Sequence, residues 1–332
     1  MLISFFCWFR LPKTFVQPFA LVSFILFSSF PVVFAQISTT PSSYPYPAIN
    51  FVYTQNFSNL PVSSTYLSGI TGKGPYFLGS LHVGLQGLFI AQTSGSNTAL
   101  NFTTSSGSNA TNGIFSYGAN NAATRGLGSL ASSAGSYIFG ISFTNNTSAI
   151  IDQFEIKFTA AQWRKGGSGR INEWTFMYHT SSTNNVLDTL TKKDTTLNFT
   201  SVQTSTGTAA LNGLLTINQQ QKKDTLFNIQ WKPGEQLILK WQDKDDIGND
   251  DGMALQQLVC KALTMPDNTA PTVIALIPPP AKTYTTGDTI TAKIIFSEPC
   301  FLNSLSFLPY LVATISDSAK NLQYTKGSGT NE

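Results

Sequence analysis

The chain has 332 residues and is 42% hydrophobic and 12% aromatic but only 11% charged, with 25 Phe and 25 Gly. So little charge, beside abundant Ser, Thr, Asn and Gly, excludes a helical cytosolic enzyme, whose helices draw on Glu, Lys and Ala, and points to strands in an exported protein. The formal net charge is +3, and removal of Arg10 and Lys13 with a leader lowers it by two, which excludes an electrostatic footprint for nucleic acid or an anionic membrane.

In chain order, Arg10 and Lys13 come before an apolar run at 19–27, and Val33-Phe34-Ala35 before Gln36 forms a small-residue cleavage pattern. Residues 1–35 therefore read as a secretory signal peptide, placing the mature protein outside the cell or on its surface with no transmembrane span. The other reading is an uncleaved anchor, against which stand Pro31 and a run short of the about 20 residues a span needs. Residues 36–48 are rich in Ser, Thr and Pro and read as an extended leader outside any packed element.

From 49 to 264 the pattern is one of short alternating or apolar runs between Gly, Asn and Ser clusters. Residues 135–143, 150–158, 173–178 and 236–241 are the clearest. In the second of these Phe154, Ile156 and Phe158 share one face, with Asp152, Gln153, Glu155 and Lys157 supplying polarity. Period-2 runs bounded by turn residues predict strands, and strands this frequent predict a two-sheet sandwich. The one helical candidate is Thr159-Ala160-Ala161-Gln162-Trp163. The stretch 94–124 reads as a long loop carrying a single short strand at 113–118. A Pro/Asn/Thr linker follows at 265–271, then a second β-rich segment at 272–332 with a turn at Gly287-Asp288.

Two resemblances go beyond composition. The run Asp267-Asn268-Thr269-Ala270-Pro271, the turn at Gly287-Asp288, then Ile294-Ile295-Phe296-Ser297-Glu298-Pro299 and Tyr324-Thr325-Lys326-Gly327-Ser328-Gly329-Thr330-Asn331 together resemble the Ig-like repeats of bacterial cell-surface and swarming-motility proteins. Such repeats continue into further strands, so the resemblance implies an incomplete, truncated Ig-like β-sandwich at 272–332, the N-terminal part of something longer. It also implies poor stability for the segment alone, with exposed apolar runs at 299–302 and 307–311. Upstream, Arg125-Gly126-Leu127-Gly128-Ser129-Leu130, Phe143-Thr144-Asn145-Asn146-Thr147, Phe158-Thr159-Ala160-Ala161-Gln162-Trp163-Arg164, Phe176-Met177-Tyr178-His179-Thr180-Ser181 and the string from Leu239 to Leu255 occur in this order. They look like a jelly-roll-like antiparallel sandwich module of large secreted bacterial proteins, covering roughly 50–263. That family usually carries two acidic residues before its last strand, where this chain has Leu255-Gln256-Gln257-Leu258.

Candidate chemistry is sparse. Asp243, Asp245, Asp246, Asn249, Asp250 and Asp251 gather hard oxygen ligands within nine residues, with Gly248 and Gly252 allowing tight turns, which nominates calcium as the one metal. The register is not that of an EF-hand, and a solvated polar loop between strands is the plainer reading. Trp163 and Arg164, with Trp174 and Trp231, would suit a sugar cleft through stacking and paired hydrogen bonds. In a sandwich the same tryptophans fill the core, and Arg164 pairs with a nearby carboxylate. His82 and His179 are the only histidines, with neither a nucleophile elbow nor zinc-site spacing around them. Cys260 and Cys300 either pair or remain two free thiols. Asn-x-Ser/Thr sequons at Asn56, Asn101, Asn109, Asn145, Asn146 and Asn198 matter only in a host that glycosylates them. The expectation is an all-β, non-enzymatic extracellular module acting in adhesion or spacing through surface glycans or other cell-surface proteins. Its alternative is a carbohydrate-binding accessory domain of a secreted hydrolase.

Overall fold

The computed structural model describes residues 36–63, 70–264, 270–300, 310–315 and 318–325. The signal-peptide reading of 1–35, and most of the apolar runs 299–302 and 307–311, fall outside these residues. The chain divides into two compact units, one ending at Leu263 and one beginning at Thr264.

The first unit is all-β. Its strands are β1 (Tyr44–Tyr46), β2 (Val52–Gln55), β3 (Tyr76–Phe77), β4 (Leu88–Ser94), β5 (Phe102–Ser105), β6 (Gly113–Tyr117), β7 (Gly126–Leu130) and β8 (Ser136–Asn145). There follow β9 (Gln153–Lys165), β10 (Glu173–Ser181), β11 (Lys192–Lys193), β12 (Phe199–Thr200), β13 (Ala209–Ala210), β14 (Gln219–Leu226), β15 (Gln236–Asp243) and β16 (Gly252–Leu263). One sheet runs β11-β10-β15-β8-β4-β3, with β1 on β8 and β12 on β10. The other runs β13-β9-β16-β7-β6-β5, with β14 on β9 and β2 on β16. Pairing is antiparallel except at β1–β8 and β5–β6. This is the two-sheet sandwich that the alternating runs predict, in the jelly-roll-like antiparallel form that the resemblance implies.

The core lies between the sheets and follows the period of two. Phe154, Ile156 and Phe158 of β9 face Phe139, Ile141 and Phe143 of β8 and Leu237, Leu239 and Trp241 of β15, all buried. Trp174, Trp231 and Trp241 are fully buried. Phe158 meets Trp241 edge-on at 5.2 Å and Phe139 meets Trp174 at 4.8 Å, the geometry that aromatic quadrupoles favour.

Three expectations are corrected. Thr159–Trp163 is no helix but the middle of the 13-residue β9. Ala160 points into the main core while Ala161 and Trp163 point out, so strand alternation and tertiary pairing override the local helix preference. The leader does not lie outside the fold: β1 pairs with Phe143–Asn145, and Tyr46 is fully buried with its hydroxyl accepting from Ala262 N at 2.7 Å. Burial pushes that phenol up to about 12, so it stays protonated and also donates to Phe51 O. Finally, 94–124 holds two strands, β5 and β6, paired in parallel.

The outer faces are not polar either. On the first sheet Phe77, Phe89, Ala91, Ile138 and Ile238 form an outer apolar cluster roofed by Val186 of the segment 182–191. On the second, Phe115, Tyr117, Leu130, Ala161, Trp163 and Ala254 form another. Strands such as β8, buried along nearly its whole length, read as apolar runs because both of their faces are covered.

In the second unit, the described residues form two separate pairs, β17 (Val273–Ile277) with β18 (Lys293–Phe296), and β19 (Tyr310–Ile315) with β20 (Ser318–Gln323). The turn at Gly287-Asp288 is present. Gly287 has φ of +102°, and Asp288 Oδ2 accepts from Thr285 N at 2.8 Å. Leu276 and Ile277, successive residues in regular register and so on opposite sides of β17, are 57% and 46% exposed, so neither face of that strand is covered among the described residues.

Candidate functional site

The sequence candidates sit at one end of the sandwich, where two connections cross between the sheets. The segment 166–172 carries the chain from β9 to β10, and 244–251 carries it from β15 to β16. Because β9 pairs with β16 and β10 with β15, the two crossings lie side by side.

The acidic residues do different things there. Asp243, at the end of β15, points inward and is 2% exposed, with Ser129 Oγ donating to it at 2.7 Å. Burial raises its carboxyl well above the usual range, the Ser129 bond pulls it back, and the charges of Asp250 and Asp246 add to the rise. Asp250 is pushed up to about 7, first by burial and then by Asp246 and Asp245. Asp251 is also raised by burial while its Oδ1 accepts from Gly166 N at 2.6 Å. Asp245 and Asn249 are exposed.

The organiser is Asn172, 2% exposed and absent from the sequence candidates. Its Nδ2 donates to Asp246 Oδ2 at 2.9 Å and to Asp250 Oδ1 at 3.0 Å, while its Oδ1 accepts from Asp251 N at 2.7 Å. One amide thus ties both crossings together. The carboxylates are engaged by amides and backbone N–H groups, and among the described residues no three His, Cys, Asp or Glu side chains converge to hold a metal ion. The calcium reading of these six residues, the alternative to a solvated polar loop, thus finds no such cluster among the described residues.

Trp163 and Arg164 are not free for a sugar. Trp163 is 2% exposed, stacks on Tyr117 at 5.9 Å, and lies under Gly213, where a Cβ would come 2.4 Å from the indole. Taken in the orientation that satisfies both neighbours, Gln256 accepts from Trp163 Nε1 at 2.6 Å and donates to Arg125 O at 3.3 Å. A glutamine, at a position where the resembling family has acidic residues, thus caps a buried indole. Arg164 reaches the carbonyls of Gly107 and Ser108 at 3.3 and 3.4 Å, not a carboxylate. Trp174 and Trp231 are core. Cys260, buried in the first unit, and Cys300, half-buried in the second, are both free thiols.

What the crossings do form is an open cleft of about 470 Å³ lined by Gly169, Arg170, Ile171, Asp246 and Ile247. Ile171 and Ile247 are 64% and 76% exposed, an unusual display for two isoleucines beside a buried polar network. A second hollow of about 330 Å³, between Ser38–Ser42 and Phe77–Gln86, is lined by no charged side chain. Nothing local in the sequence marks Arg170, Ile171 and Ile247 as neighbours, because their juxtaposition depends on which strands pair. The only hint is that both segments are Gly-punctuated and flank long strands.

No protein-family model and no curated protein matches the chain. Among solved structures it is similar to a xylan-binding module, CBM15, at 9% identity and TM-score 0.27, over 52% of this chain and 95% of that one. It is also similar to a carbohydrate-binding module, TmCBM61, solved with β-1,4-galactotriose, at 8% identity and TM-score 0.23, over 43% and 74%. A third is the enzymatically active domain of bacteriophage CBA120 tailspike protein 4, at 8% identity and TM-score 0.28; that match spans 53% of this chain but only 19% of the tailspike chain. Likenesses this distant carry no argument about ligand or activity. No helix among the described residues is long and apolar enough to cross a membrane.

Proposed function

We propose that the first unit is a non-catalytic carbohydrate-binding module of an exported protein, with its ligand at the end cleft. The observation that carries this is the pairing of two exposed isoleucines with a guanidinium and an immobilised carboxylate. A pyranose offers an apolar C–H face and hydroxyls that both donate and accept. Ile171 and Ile247 suit the C–H face, Asp246 accepts from a hydroxyl, and Arg170 donates to one. Asn172 fixes Asp246 before the ligand arrives, which lowers the ordering cost of binding. Without an aromatic platform in the cleft, affinity is weak and specificity rests on the hydroxyl pattern.

The test is affinity electrophoresis of the exported chain on a panel of soluble plant and bacterial polysaccharides. At least one should retard it, and Asp246→Ala with Ile247→Ser should abolish the retardation. Migration unaltered by every polysaccharide, or a double variant retarded as strongly as wild type, overturns the reading.

A second reading is adhesion or spacing on a surface, with 272–332 as the opening of an Ig-like repeat. It is favoured by the division into two units and by the uncovered β17–β18 pair, whose apolar residues would suit a sandwich core. The Gly287-Asp288 turn supports the Ig-like reading of that segment.

A further inference from the structure

The segment 182–191 lies across the outer face of the first sheet, far along the chain from the acidic crossing and unconnected with the cleft. Its roof residue, Val186, closes the apolar cluster of Phe77, Phe89, Ala91, Ile138 and Ile238. The bonds that hold it come from the sheet below. Lys240 Nζ, on a residue 3% exposed, donates to Val186 O at 3.0 Å and to Asp188 O at 2.6 Å. His179, 6% exposed, bonds Asn185 O through Nε2 at 3.0 Å. Ser142 Oγ donates to Asn184 Oδ1 at 2.6 Å, and Asn184 N donates to Gln236 Oε1 at 3.0 Å.

A carbonyl only accepts, so the Nε2 that meets Asn185 O carries the hydrogen. Neutral imidazole then leaves Nδ1 bare, and Nδ1 is buried without a hydrogen-bond partner. Every charged group around it can be named. Lys240, on β15, and Lys193, which pairs with Met177 on the same side of β10, are cations; Asp188, on the strap itself, is the anion, and its Oδ1 is occupied by Leu190 N at 2.9 Å. A proton on Nδ1 would have no acceptor and would place a second cation beside the buried ammonium.

We propose that 182–191 is an acid-released strap: protonation of His179 breaks its seat beside Lys240 and uncovers the apolar floor of the sheet. Burial, the largest influence, depresses the imidazole below its ordinary value; the Asn185 bond pulls it up by less, and Lys240 and Asp188 add weaker pushes down and up, so the net direction agrees. Charging is therefore favoured by opening. The opening equilibrium rises roughly tenfold for each pH unit by which closure depresses the group. Release leaves the main core between the sheets intact, because Val186 belongs to the outer cluster alone.

Hydrogen exchange of the full chain, followed by mass spectrometry from pH 7.5 to pH 5 and corrected for intrinsic exchange chemistry, tests this. Peptides covering 182–191 should lose protection progressively towards pH 5, several-fold beyond any change in peptides from β8 and β9, which keep theirs. His179→Gln keeps an N–H donor for Asn185 O but cannot charge, so its strap protection should not change with pH. Tryptophan fluorescence monitors the fold of each variant. Should His179→Gln fail to fold, binding of the dye ANS to wild type decides, rising below pH 6 with the tryptophan emission unchanged. Strap protection in wild type that is flat across the range, or acid loosening of equal size in His179→Gln, overturns the proposal.

Discussion

Raising the pH from 5 to 8 should destabilise the first unit through Asp250, and the size follows from linkage. The carboxyl sits at about 7 in the fold, against an ordinary value of 3.8. A folded value raised above the unfolded one means that the native state holds a proton the unfolded chain has released. The contribution is therefore complete below the unfolded value and is lost as pH rises through the folded one. Between pH 5 and pH 8 this amounts to about 2.5 kcal/mol for Asp250 alone. In a unit of this size each kcal/mol moves the midpoint by about 2–4 °C, so a fall of roughly 5–10 °C is expected. Asp243 and Asp251 are raised by the same burial and act in the same direction. His179 opposes them at the acid end, since its depressed value makes protonation below about pH 6.5 destabilising. The assay is calorimetric melting at constant ionic strength for wild type and Asp250→Asn. The variant keeps the shape and both hydrogen-bonding ends but cannot ionise, so its melting temperature should fall much less between pH 5 and pH 8. Equal slopes for the two proteins, or a wild type that gains stability on going to pH 8, would refute the placement of Asp250 in a buried network.

The acidic crossing should ignore calcium: melting in millimolar calcium and in chelator should coincide, and a rise of several degrees would show that the carboxylates rearrange into a ligand shell the structure does not contain. Arg125 is fully buried, makes no ion pair among the described residues, and directs Nε to Ser116 Oγ at 2.9 Å and Nη1 to Ala119 O at 2.8 Å, with Nη2 on Ser116 O. Arg125→Met strands those acceptors and should cost about 3 kcal/mol in urea denaturation; a loss below about 1 kcal/mol would mean that water replaces the guanidinium.

The legible part of the fold was the part written in alternation. Phe154, Ile156 and Phe158 announce both a strand and its inward face, and the structure buries all three. Where a strand is covered on both sides the alternation disappears. Thr159-Ala160-Ala161-Gln162-Trp163 gives Ala160 to the main core and Ala161 with Trp163 to the roofed outer cluster, while its local composition favours a helix. Tyr44-Pro45-Tyr46 looked like leader because its partner, β8, lies some hundred residues away. At the site, the acidic run was legible as a cluster of charge but its chemistry was not. Whether Asp243 faces water or the core depends on Ser129 and on Trp174 opposite it in β10, and whether Asp246 meets a metal or an amide depends on Asn172. Trp163 shows the converse: an aromatic beside an arginine has the composition of a sugar platform until Gly213 is found on top of it.

That roof bears on where recognition takes place. An open sandwich face presents strand-borne side chains in a fixed, shallow array, and a polymer could lie along it. Here the face bearing Trp163 is closed by Gly213, and the other by the strap at Val186. On the proposed carbohydrate-binding reading, recognition at neutral pH then falls to the sandwich end, at the cleft lined by Arg170, Ile171, Asp246 and Ile247. The two closures are not equivalent. Gly213 seals its indole by shape alone, with no titratable group in the contact, whereas the strap rests on a histidine and a lysine that both bear on whether it stays down. Acid should therefore expose one face and leave the other shut. Tryptophan emission from the described residues should stay that of buried indoles at a pH where the strap amides exchange freely, since among them the indole outside the main core, Trp163, lies beneath the roof that does not titrate.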